Sequence, residues 1–190
     1  MGESLENKMH SSNFTPSTKT RLRSATLSVI FLLSSLAKAE PKVENPEFDK
    51  EIHRLVDRFN VSHISIDDFA KLKKEQDVLT LDAREKKEFE ISHIPGAKFN
   101  GPNKIDPSFL KSTPKEHPIV IYCSVGYRSS RLAEKLQKLG FSNVRNLWGS
   151  AFEWGNRGHP LVDNNGNPTT KIHTYDANWS RWVQRGEKVW

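Results

Sequence analysis

The residue with the most chemical potential in this 190-residue chain is Cys123, its only cysteine. Without a second cysteine it can form no intramolecular disulfide, no CxxC redox couple and no thiolate-rich metal site. A lone cysteine is most often a small buried hydrophobe, so its neighbours decide its role. They read Cys123-Ser124-Val125-Gly126-Tyr127-Arg128-Ser129-Ser130. A short loop of this kind turns several backbone N–H groups inward, and a helix starting after it adds its positive end. A free thiol, with a pKa near ~8.5, is only a few per cent ionised at neutral pH, so a fall of about two units makes it mostly nucleophile. Gly126 permits close backbone approach and a positive φ. Arg128 presents a planar cationic fork suited to an anion. The loop therefore reads as an anion pocket with the Cys123 thiolate at its floor. Ser124, Val125, Gly126, Tyr127, Arg128 and Ser129 are expected to bind substrate, with Tyr127 on the outer rim.

The flanking elements must hold that loop still. Before it, Pro118 to Tyr122 (PIVIY) is an unbroken apolar run, the pattern of a strand buried on both faces of a parallel sheet. After it, Leu132, Ala133, Leu136 and Leu139 follow helical spacing over Ser130 to Leu139, and Gly140 sits where a helix C-terminal glycine belongs. The junction between a strand's carboxyl end and the next helix is where open α/β sheets bind ligands. Further strands are expected at Val61–Ile64, Asp77–Leu81, Ala97–Phe99 and Asn143–Leu147. Helices are expected from Asn45-Pro46 onward, from the Ser65 cap to Leu72, around Glu85–Phe89 and around Phe152–Trp154. Strands alternating with short helices imply an α/β domain with a mainly parallel central sheet flanked by helices, in three layers.

Several stretches resemble the rhodanese-like family. The Cys123–Ser129 loop is similar to its active-site loop. Upstream, Leu81-Asp82-Ala83-Arg84, Glu88-Phe89 and His93-Ile94-Pro95-Gly96-Ala97 follow the family's D-x-R, E-[FY] and H-I-P-G-A signatures in order. Downstream, Asn146-Leu147-Trp148-Gly149, Trp154 and Gly158-His159-Pro160 resemble its closing strand and helix. The resemblance covers residues 62–162. It implies a sulfurtransferase that takes sulfane sulfur from a donor such as thiosulfate onto Cys123 as a persulfide, then passes it to cyanide or a thiol, with Arg128 holding the donor's oxyanion end. Cys123 to Arg128 is C-x4-R, whereas the phosphatases and arsenate reductases that also cradle a thiolate use C-x5-R. Two departures stand out, Ser92 and Ser150 at positions where the family often has glycine, and both imply altered loop geometry. Ser124 stands where thiosulfate-specialised members often carry Arg or Lys, which counts against thiosulfate as the natural donor.

The supporting residues are given structural roles. Asp82 is expected to bond loop N–H groups beneath Cys123, and Arg84 to pair with Glu88 or another carboxylate. His93 is expected to be a satisfied loop histidine, since no serine or carboxylate pattern makes it part of a triad. The remaining histidines show no ligand spacing, so neither a metal nor a cofactor is expected. Two other function classes compete with the enzyme. One is a non-catalytic rhodanese-like module that binds an anion or a protein. The other is a thiol redox role, which would need a second protein to supply the resolving cysteine.

Charge adds little to this reading. The net +6 divides into +3 on residues 1–39, where five Lys/Arg face Glu3 and Glu6, and +3 on the remainder. Interspersed charge of that size makes no case for nucleic acid. The first 39 residues read as an address. Thr18–Arg23 is basic, Ala25–Ala37 is an uncharged, mostly apolar run too short to span a membrane, and Ala37-Lys38-Ala39 is a small-x-small cleavage pattern. A signal peptide over 1–39 implies export, periplasmic or secreted, with no stable membrane anchor after cleavage. An organelle transit peptide is the alternative. The parts are then 1–39, a helical segment 40–61, the domain 62–162, and a tail 163–190. That tail starts loose at Asp163 and carries Trp179, Trp182, Val183 and Trp190, aromatics that cover a core edge.

Overall fold

A computed structural model describes residues 40–190; residues 1–39, where a signal peptide is expected, lie outside the described residues. The chain runs α1 (Pro46–Val56), β1 (Ser62–Ile64), α2 (Ile66–Glu75), β2 (Leu79–Asp82), α3 (Lys86–Ile91), β3 (Lys98–Phe99), α4 (Pro107–Ser112) and β4 (Ile119–Tyr122). It continues with α5 (Tyr127–Lys138), β5 (Val144–Leu147), α6 (Ser150–Asn156), β6 (Leu161–Val162), β7 (Pro168–Thr169), β8 (Lys171–His173), α7 (Ala177–Ser180) and β9 (Glu187–Val189). The helix starts follow local chemistry. Asn45 accepts from the Glu47 and Phe48 N–H groups at 3.0 and 3.2 Å, with Pro46 in the first turn, and Ser65 accepts from Asp68 N–H at 3.1 Å.

The central sheet has five strands in the order β1-β5-β4-β2-β3, all parallel. Alternation along β4 divides the core in two. Val120 and Tyr122 face a cluster with Phe48, Ile52 and Val56 of α1, Phe69 of α2, and Phe152 and Trp154 of α6. Ile119 and Ile121 face Leu132, Ala133 and Leu136 of α5, with Phe109 and Leu110 of α4 at its edge. Helices on both faces make the three-layer α/β arrangement, and all four residues of β4 are buried.

Three sequence expectations need correction. Helix α5 starts at Tyr127, not Ser130, because Gly126 at φ +137° ends the loop early and its carbonyl accepts the Ser130 N–H at 3.0 Å. Helix α4 was not foreseen, although Asp106-Pro107 carries its signal: Asp106 accepts from Ser108 N–H at 2.8 Å. The stretch after Asp163 is an ordered turn joining antiparallel β6 and β7, with the Asp163 carboxylate accepting from the Asn165 and Asn167 N–H groups, both at 2.9 Å.

The tail shares the main core. Ile172 and Val183 are each 1% exposed, and Trp182 stacks on Phe48 at 5.3 Å. The pairing of β8 with β9 brings the end of the chain back alongside them, while Trp190 lies open to solvent at 73%.

Candidate active site

Cys123 follows the last residue of the central strand, so its position is fixed by the most buried element of the sheet. Its own N–H donates to the Ser150 hydroxyl at 3.2 Å, and that hydroxyl donates to the Leu147 carbonyl at 3.1 Å. The Cys123 and Ser124 carbonyls accept from the Ala151 and Phe152 N–H groups of α6, both at 3.1 Å. The cysteine loop is thus clamped against the first turn of α6. Gly149 (φ +72°) and Ser150 (φ +54°) are both left-handed, which turns β5 into α6 sharply enough to place the Ser150 hydroxyl under Cys123. Ser150 thus adopts the left-handed conformation that glycine favours, and its hydroxyl holds the nucleophile's backbone.

The sulfur sits at the start of the twelve-residue α5. Gly126 N–H donates to Sγ at 3.1 Å, and the Ser129 hydroxyl lies 3.5 Å away. That hydroxyl has one proton and three acceptors in reach: Sγ, the Gly126 carbonyl at 3.1 Å and Asn146 Oδ1 at 2.6 Å. A Cβ at position 126 would meet Val56 at 3.2 Å with φ at +137°, so glycine is what this N–H donor requires. Burial pushes the Cys123 thiol up. The Arg128 charge, the Ser129 hydroxyl and N–H and the Val125 N–H outweigh burial and hold the thiol below its ordinary value.

Arg128 departs from its expected role. Its Nη1 and Nη2 donate to the two Glu88 carboxylate oxygens at 2.7 and 2.9 Å, and Nη2 also donates to the Ser124 hydroxyl at 2.9 Å. The fork is therefore occupied by a buried carboxylate rather than open to an anion. Glu88 also accepts from the Ser124 hydroxyl at 2.9 Å and from the Glu85 N–H at 2.9 Å. Burial alone would raise its pKa, but Arg128, the Glu85 N–H and Arg84 bring it from 4.5 to about 2.

Asp82 does not bond loop N–H groups beneath Cys123. Its carboxylate accepts from the Arg84 N–H at 2.9 Å and from Arg84 Nη2 at 2.6 Å, and Arg84 reaches on to the Ser92 carbonyl at 2.6 Å. Both side chains are buried, Asp82 at the end of β2 next to β4 and Arg84 just beyond it, so they fix the strand end rather than touch a ligand. His93 stacks on Phe89 at 3.8 Å, its Nδ1 is 2.9 Å from the Phe89 carbonyl, and its backbone pairs with Val162. It takes no part in the site.

Above the sulfur lies a cavity of about 330 Å³. Cys123, Ser124 and Val125 of the loop line it, together with Arg128 and Glu85. Leu55, Tyr127, Phe152, Tyr175 and Trp179 form its walls. Sequence reasoning missed Glu88 as the partner of Arg128, Ser150 and Asn146 as supports, and the wall residues from α1 and the tail. The Glu88-Phe89 motif pointed to the first; nothing in the local pattern marks Leu55, Tyr175 or Trp179. Among the described residues no group of three or more His, Cys, Asp or Glu side chains is arranged to hold a metal ion.

Comparison with known proteins agrees with this geometry. The family model for the rhodanese-like domain matches residues 65–157. A sulfurtransferase of Allochromatium vinosum is 34% identical over 92 residues, covering 48% of this chain and 85% of that protein. The thiosulfate sulfurtransferase GlpE of Coxiella burnetii is 32% identical over 97 residues, covering 51% and 89%. A crystal structure of a Bacillus halodurans protein superposes with a TM-score of 0.50 at 25% identity, over 62% of this chain and 88% of that one. The solution structure of a rhodanese-like domain from Anabaena gives 0.50 at 22%, over 53% and 78%, and shows the fold alone.

Proposed function

Since the chain belongs to the rhodanese-like domain family, we propose that it is a sulfurtransferase that carries sulfane sulfur as a persulfide on Cys123. The observation that carries this reading is the sulfur itself: a thiol at the start of α5, hydrogen-bonded by the Gly126 N–H at 3.1 Å, with its ionised form favoured and its face open to a cavity.

In the first half-reaction the Cys123 thiolate attacks the outer sulfur of the donor. A new S–S bond forms, the donor's S–S bond breaks, and the leaving group departs with the bonding electron pair, as sulfite when the donor is thiosulfate. The terminal persulfide sulfur carries the negative charge, which the inward N–H groups of the loop receive. In the second half-reaction cyanide or a thiolate attacks that sulfur and the Cys123 thiolate leaves. Splitting one transfer into two steps predicts ping-pong kinetics. The four residues between Cys123 and Arg128 favour a sulfur atom as cargo over the tetrahedral phosphate that a longer loop admits. Export under the direction of residues 1–39 is part of this proposal.

The test is the intact mass of the full chain after donor treatment, beside thiocyanate production from cyanide. A gain of one sulfur atom that Cys123→Ser lacks, together with turnover, is the expected result. No gain with thiosulfate or with an organic thiosulfonate would refute sulfur transfer and leave a non-catalytic anion-binding module.

A further inference from the structure

Part of the cavity wall is built by segments of the chain that the family match does not include. Leu55 precedes residues 65–157, and Tyr175 and Trp179 follow them. The tail holds these two in defined places. Asp176 caps α7 by accepting from the Asn178 and Trp179 N–H groups at 2.8 and 3.0 Å. Tyr175 adopts φ +70°, a conformation a bulky side chain rarely takes, and its N–H donates to the Nδ1 of buried His173 at 3.1 Å. Tyr175 is 59% exposed, so packing of its own ring does not explain the strain. Backbone strain kept at a ligand cavity is strain that positions a residue. Its consequence here is to place Tyr175 on the lining of the cavity that also holds Cys123, Tyr127 and Phe152.

The charge of the cavity points the same way. Among the described residues that line it, Arg128 is the one cation, and Glu88 already neutralises its fork. Glu85 adds a carboxylate at the side. A dianion approaching the Cys123 thiolate here meets no uncommitted cationic side chain on the lining, so the loop N–H groups alone must offset its second charge, and charge brought out of water with too few partners is costly. An apolar group meets the aromatic rings of Tyr127, Phe152, Tyr175 and Trp179 and the aliphatic side chain of Leu55, the surroundings in which aryl groups stack and lose water.

Building on the sulfur-transfer reading, we propose that the wall formed by Leu55, Tyr127, Tyr175 and Trp179 makes the donor a sulfane-sulfur compound with at most one negative charge and an apolar group beside the reacting sulfur, an aryl thiosulfonate being the simplest case, in preference to thiosulfate. The chemistry balances. The Cys123 thiolate attacks the terminal sulfur of the thiosulfonate, the S–S bond to the sulfonyl sulfur breaks, and an aryl sulfinate leaves with the electron pair. Two negative charges enter, on thiolate and donor, and two leave, on persulfide and sulfinate. No oxidant or reductant is needed.

The experiment uses the full chain with cyanide as the common acceptor and three donors: thiosulfate, methanethiosulfonate and benzenethiosulfonate. In ping-pong kinetics kcat/KM for the donor reports the first half-reaction alone. Each value is divided by the rate constant for the same donor reacting with cyanide without protein, which removes leaving-group chemistry. Methanethiosulfonate should exceed thiosulfate, reading the charge. Benzenethiosulfonate should exceed methanethiosulfonate by about tenfold, reading the wall. In Tyr175→Ala and in Trp179→Leu that second ratio should fall towards one, with thermal unfolding confirming that each variant is folded. Thiosulfate leading after normalisation, or a benzene-to-methane ratio near one in the unaltered chain, would overturn the donor class while leaving sulfur transfer intact. Absence of a Cys123 persulfide with all three donors would overturn both.

Discussion

The Glu88–Arg128 pair gives the sharpest quantitative prediction. Glu88 is fully buried, and its carboxylate meets both arms of the Arg128 fork, the Ser124 hydroxyl and the Glu85 N–H. Burial opposes its ionisation, and these partners more than offset burial, so its pKa falls from 4.5 to about 2. A group depressed in the folded state contributes stability above its unfolded pKa and loses it as pH falls through the folded one. The window here runs from about 4.5 down to about 2. A fall of that size corresponds to about 3 kcal/mol at pH 7 and about half of that at pH 3. Glu88→Gln keeps the shape and deletes the charge, leaving Arg128 half-buried without its partner. Urea unfolding of the full chain and the variant at both pH values is the assay. The variant should be less stable by about 3 kcal/mol at pH 7, and the gap should narrow by about half at pH 3. A gap under about 1 kcal/mol at pH 7, or one equal at the two pH values, would refute the claim that Arg128 is held by an ionised buried carboxylate.

Two further outcomes are expected. Alkylation of Cys123 by iodoacetamide, followed against pH, should show a midpoint below that of a free cysteine measured alongside, and Ser129→Ala should move it upward by removing the hydroxyl near Sγ; a midpoint at or above the free-cysteine value would contradict an activated thiol. Ending the chain at Val162 removes Ile172 and Val183, each 1% exposed, at about 1.5–3 kcal/mol apiece, so roughly 3–6 kcal/mol of stability should be lost in urea unfolding; equal stability would mean the tail is a mere appendage.

Much of the framework was legible in the sequence. Local rules suffice for the Asn45-Pro46 and Ser65 caps, the unbroken PIVIY strand and the Gly140 stop, because each depends on a few neighbouring residues meeting their own backbone. The cysteine loop was legible for the same reason: a strand, a glycine at a positive φ and a helix start are consecutive, so the donor that reaches Sγ is three residues away from it. Helix α4 was equally local, and its Asp106-Pro107 start was there to be read.

The partners of the loop were not legible, because they are distant in sequence. Arg128 looked like an open fork until Glu88, forty residues earlier, occupied it, and Cys123 N–H finds its acceptor at Ser150, twenty-seven residues later. Parallel strands bring such segments to one end of the sheet, and nothing in the composition of either segment announces which side chain will be opposite which. The cavity wall is the extreme case, with Leu55 more than a hundred residues from Tyr175 and Trp179. The sequence by itself determined where the nucleophile sits and how its loop is built, since those are matters of neighbouring dihedrals and donors. Only the tertiary structure decided that the loop's cation is already neutralised and that Tyr175 and Trp179 of the tail line the same cavity as Cys123, since burial and charge compensation are properties of surfaces that the folded chain alone brings together.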